Sequence, residues 1–166
     1  MKKTRKLVIA AVLAAVITIM TAYVCHVPVG TNGGYVHFGD TFIYIAACIL
    51  PFPYAAAAAA IGAGLADLLT APVWILPTVI IKTLICVPFT SKKSTLLCPR
   101  NVVAVFVSAV ISISGYAIAE GIMFGNWAAS LLSLSGGIVQ SGVSGILFII
   151  AASLLDKKDI KNTLKI

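Results

Sequence analysis

Six apolar stretches separated by short polar breaks run along the chain, most of them at the length of membrane helices. The first, residues 7–27, matches the roughly 20 residues needed to cross a hydrocarbon layer about 30 Å thick. Residues 28–39 (PVGTNGGYVHFG) are Gly-rich and read as a loop. The second stretch, 40–51, gives only ~18 Å of helix, so neighbours must shield it or the preceding loop must extend it. Pro51-Phe52-Pro53 then predicts a tight turn. The third, 54–70, holds six successive alanines at 55–60. Within it Ala56, Ala60 and Gly64 recur every fourth residue, a pattern that lets helix backbones approach closely in lipid. The fourth, 73–89, has Trp74 at an interface position and Pro77 in its first turns, where Pro disrupts least. A basic loop at 90–100 leads to the fifth stretch, 102–124. The sixth, 127–155, is longer than a span needs, and Ser and Gly around 133–137 predict an interruption. There is no internal repeat, which argues against transporters built from duplicated halves.

Charge gives these spans a direction. Eleven of the twelve Lys/Arg fall in three clusters: Lys2, Lys3, Arg5 and Lys6; Lys92, Lys93 and Arg100; Lys157, Lys158, Lys161 and Lys165. Three of the five carboxylates, Asp40, Asp67 and Glu120, fall at the opposite ends of the apolar stretches. Six spans with both termini in the cytoplasm make every basic cluster cytoplasmic, as the positive-inside bias requires. The expected fold is therefore an all-α integral membrane protein: six transmembrane helices in one bundle, N-in and C-in, one domain over residues 1–166. Composition agrees. The chain is 60% hydrophobic and 10% charged, with a mean hydropathy of +1.07, whereas soluble domains are about 25% charged. The net charge of +7 does not point to nucleic acid, because the cations flank apolar spans without interleaved aromatics. They fit anionic lipid headgroups instead.

The four cysteines form no C-x-x-C and no Cys/His zinc spacing, and read as small buried hydrophobes. The first stretch is too long for a typical signal-peptide core and lacks a small-x-small cleavage site. Ala22-Tyr23-Val24-Cys25 also fails as a lipoprotein box, so a retained span is expected.

The polar residues inside the spans are the candidates for chemistry. Asp40 opens a helix, where a carboxylate caps the exposed N–H groups of the first turn, a role compatible with lining a site. Asp67 and Glu120 sit in the outer parts of the third and fifth spans, where acids mark ligand cavities or structural polar contacts. Lys82 lies mid-span, ~12 Å along the helix from Trp74. It either pairs with Asp67 or another internal acid, or snorkels along its own stem to the cytoplasm. His26 and His37 flank the outer loop without carboxylates at metal spacing, so no metal or cofactor is expected. Tyr35, His37, Trp74, Tyr116, Asn126, Trp127 and Gln140 place aromatic planes and amides near the outer half of the bundle. A flat polar heterocycle needs such groups, although Trp74 and Trp127 also suit an aromatic belt. Enzyme signatures are missing. There is no G-x-x-x-x-G-K-[ST] phosphate loop and no H-E-x-x-H, and Gly142-Val143-Ser144-Gly145 is only half of a nucleophile elbow.

Five segments together resemble the substrate-binding S component of energy-coupling factor (ECF) vitamin transporters. They are GGYVHFGDTFIYIAACILP (33–51), AIGAGLADLL (60–69), PTVIIKTL (77–84), SGYAIAEGIMFGN (114–126) and Gln140. The resemblance covers about residues 5–155. It implies a six-helix bundle in the bacterial plasma membrane, binding one vitamin near the extracellular face beneath a lid made by residues 28–39. Energy would come from a transmembrane coupling subunit and two ATPase subunits, which agrees with the missing phosphate loop. It also implies an alanine motif on the first helix that meets the coupling subunit. Ala10 and Ala14, and Ala11 and Ala15, are two overlapping i, i+4 copies of it.

Three carboxylates from three spans reach the same depth beneath the longest outer loop, so the expected substrate-binding residues are Tyr35, His37, Asp40, Asp67, Trp74, Glu120, Asn126 and Gln140. The Gly-Asp opening, ADLL and IIK most resemble members for pyridoxine-like (vitamin B6) or hydroxymethylpyrimidine-like compounds, with riboflavin or another vitamin precursor as the alternative. A membrane interaction or scaffold protein, with the acids serving as helix caps, is the alternative of a different class.

Overall fold

The computed structural model describes residues 2–24, 27–29 and 34–164. Helix α1 (Lys3–Ala22) runs to a short antiparallel hairpin, β1 (Val27–Val29) and β2 (Gly34–Val36), paired Val27 to Val36, Pro28 to Tyr35 and Val29 to Gly34. Then follow α2 (Gly39–Ile49), α3 (Phe52–Thr70), a 3-10 turn (Pro72–Trp74), α4 (Ile75–Leu84), α5 (Pro99–Phe124), α6 (Trp127–Lys157) and the short α7 (Ile160–Thr163). Helices α1, α3, α5 and α6 are long and apolar enough to cross a membrane; α2 and the segment 72–84 are shorter apolar helices.

Three expectations from the sequence change. The segment 28–39 is not simply a loop, because part of it pairs as the hairpin. The sixth span is not interrupted at 133–137: α6 is one helix of 31 residues. The hydroxyls of Ser133 and Ser135 bond back to carbonyls of the preceding turn, at 3.0 Å to Ser130 and 3.0 Å to Leu132, so they stay within the helix instead of breaking it. Helix α4 ends at Leu84 and not near residue 89, giving way to turns before Pro88, which has no N–H to continue a helix.

Helix α2 is the centre of the molecule. Every one of its residues except Phe42 is buried, so its ~16 Å length is shielded from lipid on all sides. Its Tyr44 ring packs 5.1 Å from Phe89 and 5.8 Å from Phe148. Helices α1 and α3 pack closely. The Thr18 hydroxyl donates to the Gly62 carbonyl at 2.9 Å, and a Cβ at Gly62 would lie 2.7 Å from the Ala14 carbonyl oxygen. Without a hydrophobic force between helices in lipid, such close contacts are what hold the pair together.

Lys6 and the 90–98 loop both lie at the end of the bundle away from the hairpin, where α1, α3 and α5 begin and α2, α4 and α6 end. Lys6 Nζ lies 5.7 Å over the Tyr54 ring, and the 91–97 loop is bonded to the last turn of α6 and to α7.

Candidate functional site: a buried polar network behind the hairpin

The first turn of α2 starts inside the bundle, just after the hairpin. Gly39 permits this: a Cβ there would collide with the Thr21 hydroxyl and lie 2.9 Å from His37 Nδ1. His37 closes the turn, its Nδ1 accepting the Gly39 N–H at 2.9 Å.

Asp40 does not cap α2. The cap position is Phe38, and no side chain caps the helix. The Asp40 carboxylate points across the bundle instead, where Oδ1 accepts from Lys82 Nζ at 2.7 Å and Oδ2 accepts from Gln140 Nε2 at 3.3 Å. Of the readings open for Lys82, pairing with an internal acid holds. The acid is Asp40, and Lys82 does not snorkel, being 2% exposed. Burying a carboxylate and an ammonium together is tolerated only when each keeps further partners. Gln140 supplies one for Asp40. The Tyr116 ring, its centroid 5.1 Å from Lys82 Nζ, supplies a cation–π contact for the ammonium.

Gln140 is the junction of the network. Its Oε1 accepts the backbone N–H of His37 at 2.7 Å, while Nε2 donates to Asp40 and, at 3.3 Å, to Ser144 Oγ. Thr41 Oγ1 donates to the Ser144 carbonyl at 3.2 Å. One amide therefore ties the end of the hairpin segment, α2 and α6 together, and Lys82 adds α4.

The sequence-derived candidates divide accordingly. His37, Asp40 and Gln140 are brought into direct contact. Trp74 is buried in an aromatic wall, its ring 5.9 Å from Tyr116, which faces Lys82, and 5.9 Å from Phe124, with the Tyr116 hydroxyl 2.9 Å from Thr78 Oγ1. Asp67 is buried in the last turns of α3. Glu120 is buried on α5, and its carboxylate meets the Ser133 hydroxyl of α6. Asn126 is exposed and caps α6, accepting the Ala129 N–H at 3.0 Å. Trp127 is exposed, lying against Gly121. Tyr35 sits on β2 opposite Pro28, and its side chain, like the whole of His26, lies outside the described residues. Thr41 carries no signal of its own in the sequence, and Ser144 stands out there only as part of an incomplete nucleophile elbow, not as a partner of Gln140. The one available signal is that Ser144 follows Gln140 by four residues on the same helix face.

The two alanine pairs of α1 separate cleanly. Ala10 and Ala14 are buried within the chain, on the face turned to α3, whereas Ala11 and Ala15 are exposed. Among the described residues, no group of three or more His, Cys, Asp or Glu is placed to hold a metal ion.

A family model, "ECF-type riboflavin transporter, S component", matches residues 1–157. The chain belongs to this family. It is thus an ECF S component, a multi-pass protein of the cell membrane, in a family that serves vitamin uptake. Family membership implies a vitamin substrate and work alongside ECF transmembrane and ATPase subunits. A search of curated proteins returns no match.

Proposed function

We propose that this S component captures one small planar vitamin in the outer half of a six-span bundle, with both termini in the cytoplasm, and passes it to a coupling subunit driven by two ATPases. The observation that carries the reading is the buried Asp40–Lys82–Gln140 network directly behind the hairpin. Charged groups inside a membrane bundle are costly and serve a function by default. Here they cluster where a lid segment joins the helices, next to the aromatic wall of Trp74 and Tyr116. The hairpin covers the site, and His37, Asp40, Gln140, Trp74, Asp67 and Glu120 line or brace it. Tyr35 belongs to the lid.

The orientation is supported by the gathering of Lys6, Lys93 and Lys161 at the end away from the hairpin, which the positive-inside bias assigns to the cytoplasm. The exposed Ala11 and Ala15 form the face we assign to the coupling subunit.

The motif residues favour a pyridoxine-like or hydroxymethylpyrimidine-like ligand: a small ring whose hydroxyls suit an acid, an amide and a stacking partner. Riboflavin is the second reading, favoured by the family model that matches. Mass spectrometry of the molecule that co-purifies with the chain, followed by calorimetry with pyridoxine, hydroxymethylpyrimidine and riboflavin, decides between them. A chain that carries no small molecule and binds none of the three would overturn the capture reading and return the scaffold alternative.

A further inference from the structure

The end of the bundle opposite the hairpin carries a second set of polar contacts that ligand capture does not use. The connection between α4 and α5 is built, not loose. Asp156, near the end of α6, accepts the backbone N–H groups of Leu96 and Leu97 at 2.7 and 2.9 Å. Asn101, fully buried in the first turn of α5, accepts the Thr90 N–H at 2.8 Å and donates to the Thr90 and Leu96 carbonyls, each at 3.0 Å. Beyond α6 the chain reverses at Asp159, which sits at φ 48 in the left-handed region where Asp is tolerated. That reversal brings α7 back beneath the loop. Lys161, buried there, donates to the Ser91 and Lys93 carbonyls at 3.1 and 2.6 Å.

The charge left over is one-sided. Asp156 is taken up by backbone N–H groups, and the Asp159 carboxylate accepts from Asn162 at 2.7 Å. Lys92, Lys93, Arg100, Lys157 and Lys158 all remain exposed. Among the described residues, none of the five forms a salt bridge. Immediately along α5 from Arg100 lie the exposed Val103, Phe106 and Val107; immediately before Lys157 on α6 lie the exposed Ile150 and Leu154. A lipid with its acyl chains along those flanks has its phosphate at the level of the cations.

We propose that the stapled 90–98 loop, with the facing end of α6, is a preorganised site for the headgroup of an anionic phospholipid. Lys92, Lys93, Arg100, Lys157 and Lys158 supply the charge, and Asp156, Asn101 and Lys161 act as positioning residues that hold the backbone carrying it. Fixing the loop beforehand removes ordering cost from binding, which separates a lipid site from cations merely strung along a chain. The site is independent of which vitamin the hairpin end takes.

Native mass spectrometry tests it on the full chain, delipidated and then titrated with phosphatidylglycerol and phosphatidylethanolamine of matched acyl chains. The wild type retains phosphatidylglycerol preferentially, and each replacement among Lys92→Gln, Lys93→Gln, Arg100→Gln and Lys157→Gln lowers that preference about fivefold. Lys161→Met lowers it too, although no exposed charge is removed, a result that a diffuse charge effect does not give. Unchanged vitamin affinity in the quadruple variant shows that it is folded. Equal retention of the two lipids by the wild type, or an undiminished preference in the quadruple variant, overturns the proposal. If the quadruple variant keeps its phosphatidylglycerol but no longer assembles with the coupling subunits, the surface docks protein and the lipid assignment is wrong.

Discussion

Lys82 Nζ and Asp40 Oδ1 lie 2.7 Å apart with side chains 2% and 0% exposed, joining α4 to the first turn of α2 in the interior of the bundle. Neither group has water to fall back on, so the fate of each depends on the other. Removing one partner of a buried pair costs about 3–5 kcal/mol, because the remaining charge is left uncompensated, whereas replacing both is often near neutral. Asp40→Asn and Lys82→Met should each lower the unfolding temperature of the detergent-solubilised chain sharply. The double variant Asp40→Asn/Lys82→Met should recover most of the loss. Additive losses in the double variant would show that the two side chains are not energetically coupled.

Gln140 holds the hairpin segment through a single hydrogen bond to His37 N at 2.7 Å, and it also touches Asp40 and Ser144. Gln140→Leu keeps the volume and deletes all three contacts. A net loss of about 1 kcal/mol per hydrogen bond predicts vitamin affinity lower by roughly tenfold or more, with the change in the dissociation rate as the lid loses its tether. Ser144→Ala, which removes one contact, should have a smaller effect. Stopped-flow ligand release from the two variants checks the order; equal release rates would leave the tether without a role.

The alanine pairs of α1 give opposite outcomes. A Trp at Ala10 or Ala14 must enter the contact with α3, where the Ala14 carbonyl already faces Gly62, so these variants should lose stability by the few kcal/mol typical of overpacking. A Trp at Ala11 or Ala15 projects outward from the chain and should leave stability and vitamin affinity intact while blocking assembly with the coupling subunit. Co-purification of the complex and thermal unfolding of the isolated chain together separate the two.

Much of this architecture is legible in the sequence, and what is not has physical causes. Each predicted span contains a helix, because runs this long and apolar admit little else. The hairpin escaped notice because three-residue strands, one containing Pro28, carry no alternation to detect. The sequence marks Lys82 as costly but cannot name its partner, since Asp40 lies 42 residues away and the pairing is set by how α2 and α4 face each other. The i, i+4 rule admits both alanine pairs on α1; only the rotation of that helix against Gly62 tells the buried pair from the exposed one. Asn126, a candidate site amide, also caps α6 through its Oδ1, a local role that its place just before the helix explains.

Sidedness is tested by labelling. In a chain freed of its native cysteines, a Thr31→Cys probe, which lies between the two strands in sequence and outside the described residues, should react with a membrane-impermeant maleimide added outside intact cells. A Ser94→Cys probe, in the exposed basic loop, should react only after the cells are opened. The reverse pattern would put the hairpin in the cytoplasm and the candidate site on the wrong side for uptake.

The central claim is that the vitamin is bound where the buried polar groups behind the hairpin converge. Titration calorimetry of the co-purified ligand against the wild type, Asp67→Asn, Glu120→Gln and the charge-balanced double variant Asp40→Asn/Lys82→Met tests it most directly. A hydrogen bond to a buried charged group contributes roughly 1.5–3 kcal/mol, so losing one should weaken binding about ten- to a hundredfold in at least one of the three variants while the protein remains folded. Wild-type affinity in all three would mean that these groups hold the bundle together and that the ligand lies elsewhere.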